Sequence, residues 1–502
     1  MGDLSDISEA ILSHKKSIHL IPKDHDVNMS DLLNNLGNSL QARFKRNGDL
    51  SDISEAISYQ QKALHITPQG HASIPGLLTN LGNSFLCHFK LTGDLTDISE
   101  AILSHKQALH LTPQGDAAMP RRLNNLGLSF SNRFEHTGDT ADISEAIALH
   151  QKVVLLVPEG HVDAPRWLNN LGDSLQIHFE RLGDIDDIHA AISKYSVAAT
   201  CSIGKPATRL DAARKWAQWS RKFDQSQMLD AYRTAIHLLL EVAGLEQTIK
   251  SQHTNLLDIS DLSSSAAASA FDLGSPELAL EWLEEGHCLV WSQLNSLRTP
   301  LATLHAHNPA IADEILRISR ALEIAGSRGE LAISPLEKTM EQKMALQDEA
   351  AAHIKFAKEW DKLLADIRTI PEFEDFLRPP SFSNLLKHLP SSGAVVVINV
   401  HQLRCNALAL LSTTDKPYHI PLPNFSHEKA DILCKELKEH LKSSGLRMRE
   451  FNSDEVDMHI PVRYKGPGRG SVIQGILQKL WTWVVQPILR VLGYLVSPPH
   501  KI

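Results

Sequence analysis

The segment Gly48-Asp49-Leu50-Ser51-Asp52-Ile53-Ser54-Glu55-Ala56-Ile57 recurs, with few changes, from Gly2, Gly93, Gly138 and Gly183. The starts are 46, 45, 45 and 45 residues apart. A second block, Leu-Asn-Asn-Leu-Gly, places its glycine at Gly37, Gly82, Gly127 and Gly172, with Thr79 for one asparagine in the second copy. A fixed period of this length marks stacked helix pairs rather than a plain bundle. In one helix, Ile53, Ala56, Ile57, Ala63 and Leu64 follow a 3.6-residue period, with Gln60 as a polar exception. Asp52 followed by Glu55 reads as a capping-box variant, repeated at Asp6/Glu9, Asp97/Glu100 and Asp142/Glu145, so this helix is expected to begin near Asp52. Pro22, Pro68, Pro113 and Pro158 close it. The other helix carries Leu81, Phe85 and Phe89 around Gly82, and the glycine is expected to permit close helix–helix approach.

The small-residue positions Gly82, Ala101, Ala108 and Pro113 resemble those of the tetratricopeptide repeat (TPR). The period of 45 exceeds the 34 residues of that repeat. The additional residues are expected in loops, at Leu91-Thr92-Gly93-Asp94 and Gln114-Gly115-Asp116. The resemblance implies a mostly α protein, with a TPR-like right-handed α-solenoid over residues 1–195. It also implies a concave groove, lined by the first helix of each pair, that holds a peptide or partner protein.

Two asparagine columns lie on that first helix. Asn35, Asn80, Asn125 and Asn170 precede the glycine by two residues; Asn34, Asn124 and Asn169 stand one position earlier. Asn38 and Asn83 follow the glycine, where later copies have Leu128 and Asp173. A carboxamide both donates and accepts hydrogen bonds, which suits the main chain of an extended peptide. Asn35, Asn80, Asn125, Asn170, Asn38 and Asn83 are therefore the candidate peptide-binding residues. The same amides equally suit bonds between neighbouring helices.

Composition narrows the function classes. The 502 residues are 42% hydrophobic and 22% charged, which permits an ordinary core and argues against global disorder. A net charge of −9 is not the footprint of a nucleic-acid binder. Cys87, Cys201, Cys288, Cys405 and Cys434 form no CxxC and read as reduced thiols of a cytoplasmic protein. No secretory signal is visible at the N-terminus. The longest apolar stretch, Val472 to Val496, is broken by Gln474, Lys479 and Arg490, so no membrane span is expected. The 26 histidines invite a metal reading. Eleven of them are repeat copies: His14/His105/His150, His19/His65/His110, His25/His71/His161 and His88/His178. These are expected mostly on polar faces or in loops. No HExxH or clustered Cys/His spacing accompanies them, so neither metal nor cofactor is expected.

From Val197 the period fades. Residues 196–370 read as degenerate TPR-like and long helices, and residues 371–502 change character. Ala394 to Val400 reads as a buried strand, Cys405 to Leu411 as its hairpin partner, and Tyr418 to Leu422 as a third strand. A helix over Glu428 to Leu441, a Gly466 to Gly470 loop and a helix over Val472 to Val485 follow. The segments at 373–380, 395–401 and 480–487 resemble the N-terminal part of a CHAT domain, the caspase-like module that follows TPR arrays in fungal TPR–CHAT proteins. Residues 280–291 resemble the helices that precede it there. The resemblance implies a small, incomplete α/β segment over 371–502. It also implies a parent chemistry of a His/Cys peptidase dyad in the second half of the domain. No residue here matches either motif, so no catalytic residue is assigned. The local pairs His287/Cys288 and His401/Cys405 are set aside, since the first two are helix neighbours and Cys405 begins an apolar strand. The chain reads as a window on a longer architecture, opening inside one repeat and stopping inside one domain. The leading expectation is a non-catalytic interaction scaffold; the alternative is a fragment of a TPR–CHAT cysteine peptidase whose dyad lies beyond Ile502.

Overall fold

The computed structural model describes residues 4–20, 26–158, 160–242, 261–287, 301–327, 340–374, 376–377, 381–443 and 469–495. These residues are mostly helical, with one three-stranded sheet towards the C-terminal end. The chain forms two compact units, Met1–Leu238 with Glu330–Asp348, and Leu239–Gly329 with Glu349–Ile502.

The first unit opens with α1 (Leu4–Leu20), α2 (Asp26–Asn47), α3 (Leu50–Ile66), α4 (Ile74–Thr92) and α5 (Leu95–His110). It continues with α6 (Met119–Thr137), α7 (Thr140–Leu156), α8 (Ala164–Leu182), α9 (Ile185–Thr200) and α10 (Pro206–Phe223), after which comes α11 (Met228–Val242). α2/α3, α4/α5, α6/α7 and α8/α9 pack as pairs, and each pair packs on the next. α2, α4, α6 and α8 also touch in succession, as α8 touches α10.

Each tight turn inside a pair is a glycine followed by an aspartate. Gly48, Gly93, Gly138 and Gly183 have φ of +70° to +76°, a conformation that a side chain disfavours. Asp49, Asp94, Asp139 and Asp184 are the N-caps, accepting from the amides of Ser51, Thr96, Ala141 and Asp186. The second helix therefore starts near Leu50, ahead of the Asp52 expected as its cap. Asp52 is instead buried and held by Arg43 at 2.6 Å. Arg133–Asp142 repeats this pair at 2.5 Å, and His88–Asp97 and His178–Asp187 substitute imidazole for guanidinium. The expected loop at Leu91-Thr92 is absent, because both residues complete the last turn of α4. Gln114-Gly115-Asp116 does lie between helices, with Gly115 at φ +82°.

The core of the pairs is built from the periodic apolar positions. Leu81, Phe85, Phe89, Ile98, Ala101, Leu123, Leu126, Phe130, Ile143 and Ala146 belong to one buried cluster. Gly82 and Gly127 make room for imidazoles: a Cβ would meet the His105 ring at 2.6 Å and the His150 ring at 2.6 Å. Gly37 and Gly172 face Gln60 and Tyr195 in the same way. Two of the repeat histidines depart from the expected polar faces and loops, whereas His71 and His161 do lie in loops between helices. His105 and His150 are each 1% exposed, and burial pushes both imidazoles down to about 4. His88 and His178 are half-buried against their aspartates. Of the four columns, His19, His65 and His110 are the exposed one. His25 lies outside the described residues.

The second unit contains α12 (Leu262–Asp272) packed on α13 (Pro276–His287). α14 (Ala302–His307) and α15 (Pro309–Ser327) share a core with Ala357, Trp360 and Ile367 of α16 (Met340–Ile367). After α17 (Phe382–Leu386), strands β1 (Val395–Val400), β2 (Cys405–Leu410) and β3 (Tyr418–Pro421) form an antiparallel sheet in that order. β2 is central and buried throughout. On one face its Cys405, Ala407 and Ala409 share a core with Leu433 of α18 (His427–Ser443) and Ile476 of α19 (Arg469–Leu480). On the other face the His419 ring stacks on Phe271 of α12 at 4.7 Å. β1, expected to be buried, is an edge strand with Val395, Val396 and Ile398 exposed. The helix expected over Val472 to Val485 ends as a π-helical turn, Trp481–Val485, before α20 (Gln486–Val491). Pro487 has no amide to give the carbonyl four residues back, which accounts for the widened turn. Residues 466–468 of the expected glycine loop, Cys288 to Trp291 and residues 378–380 lie outside the described residues.

Candidate functional site

The candidate residues lie on α2, α4, α6 and α8. Three of their amides form a ladder from helix to helix. Asn80 Nδ2 donates to Asn34 Oδ1 at 3.0 Å, and Asn170 Nδ2 donates to Asn124 Oδ1 at 2.7 Å. Between them the pattern shifts: Asn125 Nδ2 donates to Asn83 Oδ1 at 3.2 Å. The cause is Thr79, which stands where the other copies have asparagine and spends its hydroxyl on the carbonyl of Pro75 at 2.7 Å. Asn38 Oδ1 accepts from Gln60 Nε2 at 3.0 Å, and Asn35 is exposed. Asn169 donates to Asp211 at 2.9 Å.

The structure therefore brings Asn80, Asn83, Asn125 and Asn170 into contacts between helices and leaves Asn35 at the surface. Each donating amide uses one N–H. Its second N–H and its Oδ1 retain capacity for a further partner, and Asn80, Asn83, Asn125 and Asn170 are half-buried rather than sealed.

Beside the ladder, Lys45, Asn83, Leu86, Cys87, Lys90 and Asn125 line a pocket of 560 Å³. Burial pushes the Cys87 thiol up, and Lys45 and Lys90 oppose that shift. Lys90 stands one period after Lys45, and the next two copies have Glu135 and Glu180. This charged column was not read from the sequence. The 45-residue period applied to charge rather than identity would have found it. Partial desolvation raises the Glu135 carboxyl although the residue as a whole is exposed; Lys90 opposes the shift, and Asp173 and Glu180 add to it. At Asp173 a carboxylate replaces the carboxamide of Asn38 and Asn83. It accepts from the Tyr195 hydroxyl at 2.8 Å and from Lys215 Nζ at 2.7 Å.

No protein-family model matches the chain, and no curated protein matches its sequence. The pair His401/Cys405 offers no dyad: Cys405 Sγ faces the His401 carbonyl oxygen at 3.9 Å, and burial raises the thiol. Among the described residues no group of three or more His, Cys, Asp or Glu is placed to hold a metal ion. Among them, too, no helix is long and apolar enough to cross a membrane.

Proposed function

We propose that the chain is a protein-interaction scaffold whose helix pairs form a TPR-like solenoid. It binds an extended peptide segment of a partner protein along α2, α4, α6 and α8. The observation that carries this reading is the half-buried amide ladder, Asn34–Asn80, Asn83–Asn125 and Asn124–Asn170, bordering an open pocket of 560 Å³. An extended peptide presents one donor and one acceptor per residue, and a row of side-chain amides can meet both. In the same reading, the hairpin β1–β2 with β3 and α18 is the opening of a CHAT-like segment, which supports placing the chain among TPR–CHAT proteins.

The test is binding of the full chain to an array of 12-residue peptides. The wild type is expected to enrich a subset. Asn80→Ala/Asn125→Ala is expected to lower that signal about tenfold, the loss of one or two peptide hydrogen bonds. Circular dichroism checks that the fold survives. Unchanged binding by an intact variant, or no binding by the folded wild type, overturns the assignment.

A further inference from the structure

The charges beside the ladder change sign half-way along it. Lys45 and Lys90 stand on α2 and α4; Glu135 and Glu180 stand at the same repeat position on α6 and α8. All four are exposed. Lys45, Lys90 and Glu135 form no ion pair among the described residues, whereas the neighbouring Arg43, Arg133 and Lys215 are each paired with an aspartate. Like charges are thus left side by side in each half. Lys45 and Lys90 flank one pocket; Glu135 lies within the field of Glu180 and Asp173, and Lys90 offsets that field only where the two halves meet. A solvated surface with mixed signs would dissipate this repulsion; a complementary ligand would remove it.

We infer that the peptide taken by this face is dipolar, with acidic side chains against Lys45 and Lys90 and basic side chains against Glu135 and Glu180. This rests on the peptide-binding reading above and specifies the chemistry of its ligand. Successive packed helices stand roughly 10 Å apart, so the centres of the two charged halves are separated by roughly 20 Å. An extended chain covers that span in about six residues. The bound segment therefore carries its acidic and basic groups about six positions apart. The amides of Asn83 and Asn125, which line the pocket with Lys45 and Lys90, face its main chain. The sign change also fixes the direction in which the segment lies, which the amides alone do not.

The experiment uses the full chain and an array of 12-residue peptides in which two acidic and two basic residues occupy all relative spacings and both orders. Wild type is expected to enrich one order, with spacings near six. Lys45→Glu/Lys90→Glu is expected to weaken those peptides about three- to tenfold at low salt, with the difference fading as salt rises. The fourfold exchange Lys45→Glu/Lys90→Glu/Glu135→Lys/Glu180→Lys is expected to restore binding with the opposite order. The substituted residues are exposed, and circular dichroism confirms folding. Enrichment of peptides without regard to charge order, or binding unaltered by the double variant, overturns the dipolar ligand and leaves peptide binding standing. Absence of any peptide binding by the folded wild type overturns both.

Discussion

Gly82 faces the His105 ring so closely that a Cβ on the glycine would meet it at 2.6 Å. The two residues share one space, and each explains the other. A helix-interior glycine costs propensity, and here the imidazole fills the room it leaves. Gly82→Ala is expected to destabilise by about 1–3 kcal/mol through overpacking. Gly82→Ala/His105→Ser is expected to lose less than the sum of the single changes, by at least about 1 kcal/mol. Urea unfolding measures both. Strictly additive losses would show that ring and glycine are not coupled.

The buried imidazoles make stability depend on pH. His105 and His150 lie near 4 when folded, because burial disfavours the cation, and near 6.5 when unfolded. Between those values the unfolded chain binds more protons, so stability rises with pH. The contribution is complete above about 6.5 and falls away as pH drops towards 4, by up to about 3 kcal/mol per histidine. His105→Gln/His150→Gln copies the occupant of the same position at Gln60 and is expected to flatten that slope. An identical slope in the variant would refute this origin.

The side-chain pairs at the tight turns alternate between arginine and histidine. Arg43, His88, Arg133 and His178 occupy one repeat position opposite Asp52, Asp97, Asp142 and Asp187. His88→Arg is therefore expected to fold with stability within about 1 kcal/mol of wild type. Asp52→Ala removes the partner of Arg43 from a buried site and is expected to cost about 1–3 kcal/mol. Thermal melts of the two variants give the comparison, and equal losses would count against it.

β1 leaves Val395, Val396 and Ile398 exposed on a sheet edge. Such an edge invites pairing with a second chain. Val396→Lys/Ile398→Lys is expected to reduce aggregation on concentration without loss of helicity, followed by light scattering and circular dichroism. Unchanged scattering would acquit the edge.

The sequence revealed the helix pairs, the β1–β2 hairpin and β3 because each rests on a local period or turn signal. The cap was misplaced for a local reason as well: Asp52 and Glu55 have capping-box spacing, while the actual cap, Asp49, follows a glycine whose left-handed conformation sequence spacing does not display. A loop is expected at Leu91 and Thr92 because the residues in excess of a 34-residue repeat are assigned to the connections, whereas they complete the last turn of α4. β1 looked buried because Val395 to Ile398 are all β-branched, and what covers a strand depends on neighbours distant in sequence. At the candidate site the asparagine columns were legible, but their partners were not. The switch of Asn125 from the column of Asn34 to Asn83 follows from Thr79, a single departure whose effect appears once the helices are packed.

Near-identical copies carry a hazard of their own, since a second helix that docks one period away meets almost the same surface. The small departures between copies act as keys against that slip. Tyr195 places its hydroxyl between Asp173 and Gln176, each at 2.8 Å. Docked one copy earlier, the same hydroxyl would meet Leu128 and Ser131 in their place, and the Asp173 partner would be lost from a buried group. Gln60, which reaches Asn38, would face Asn83 if moved one copy later and would compete there with Asn125. The polar irregularities along the ladder thus number the copies, so that each helix finds its own place among lookalikes during folding.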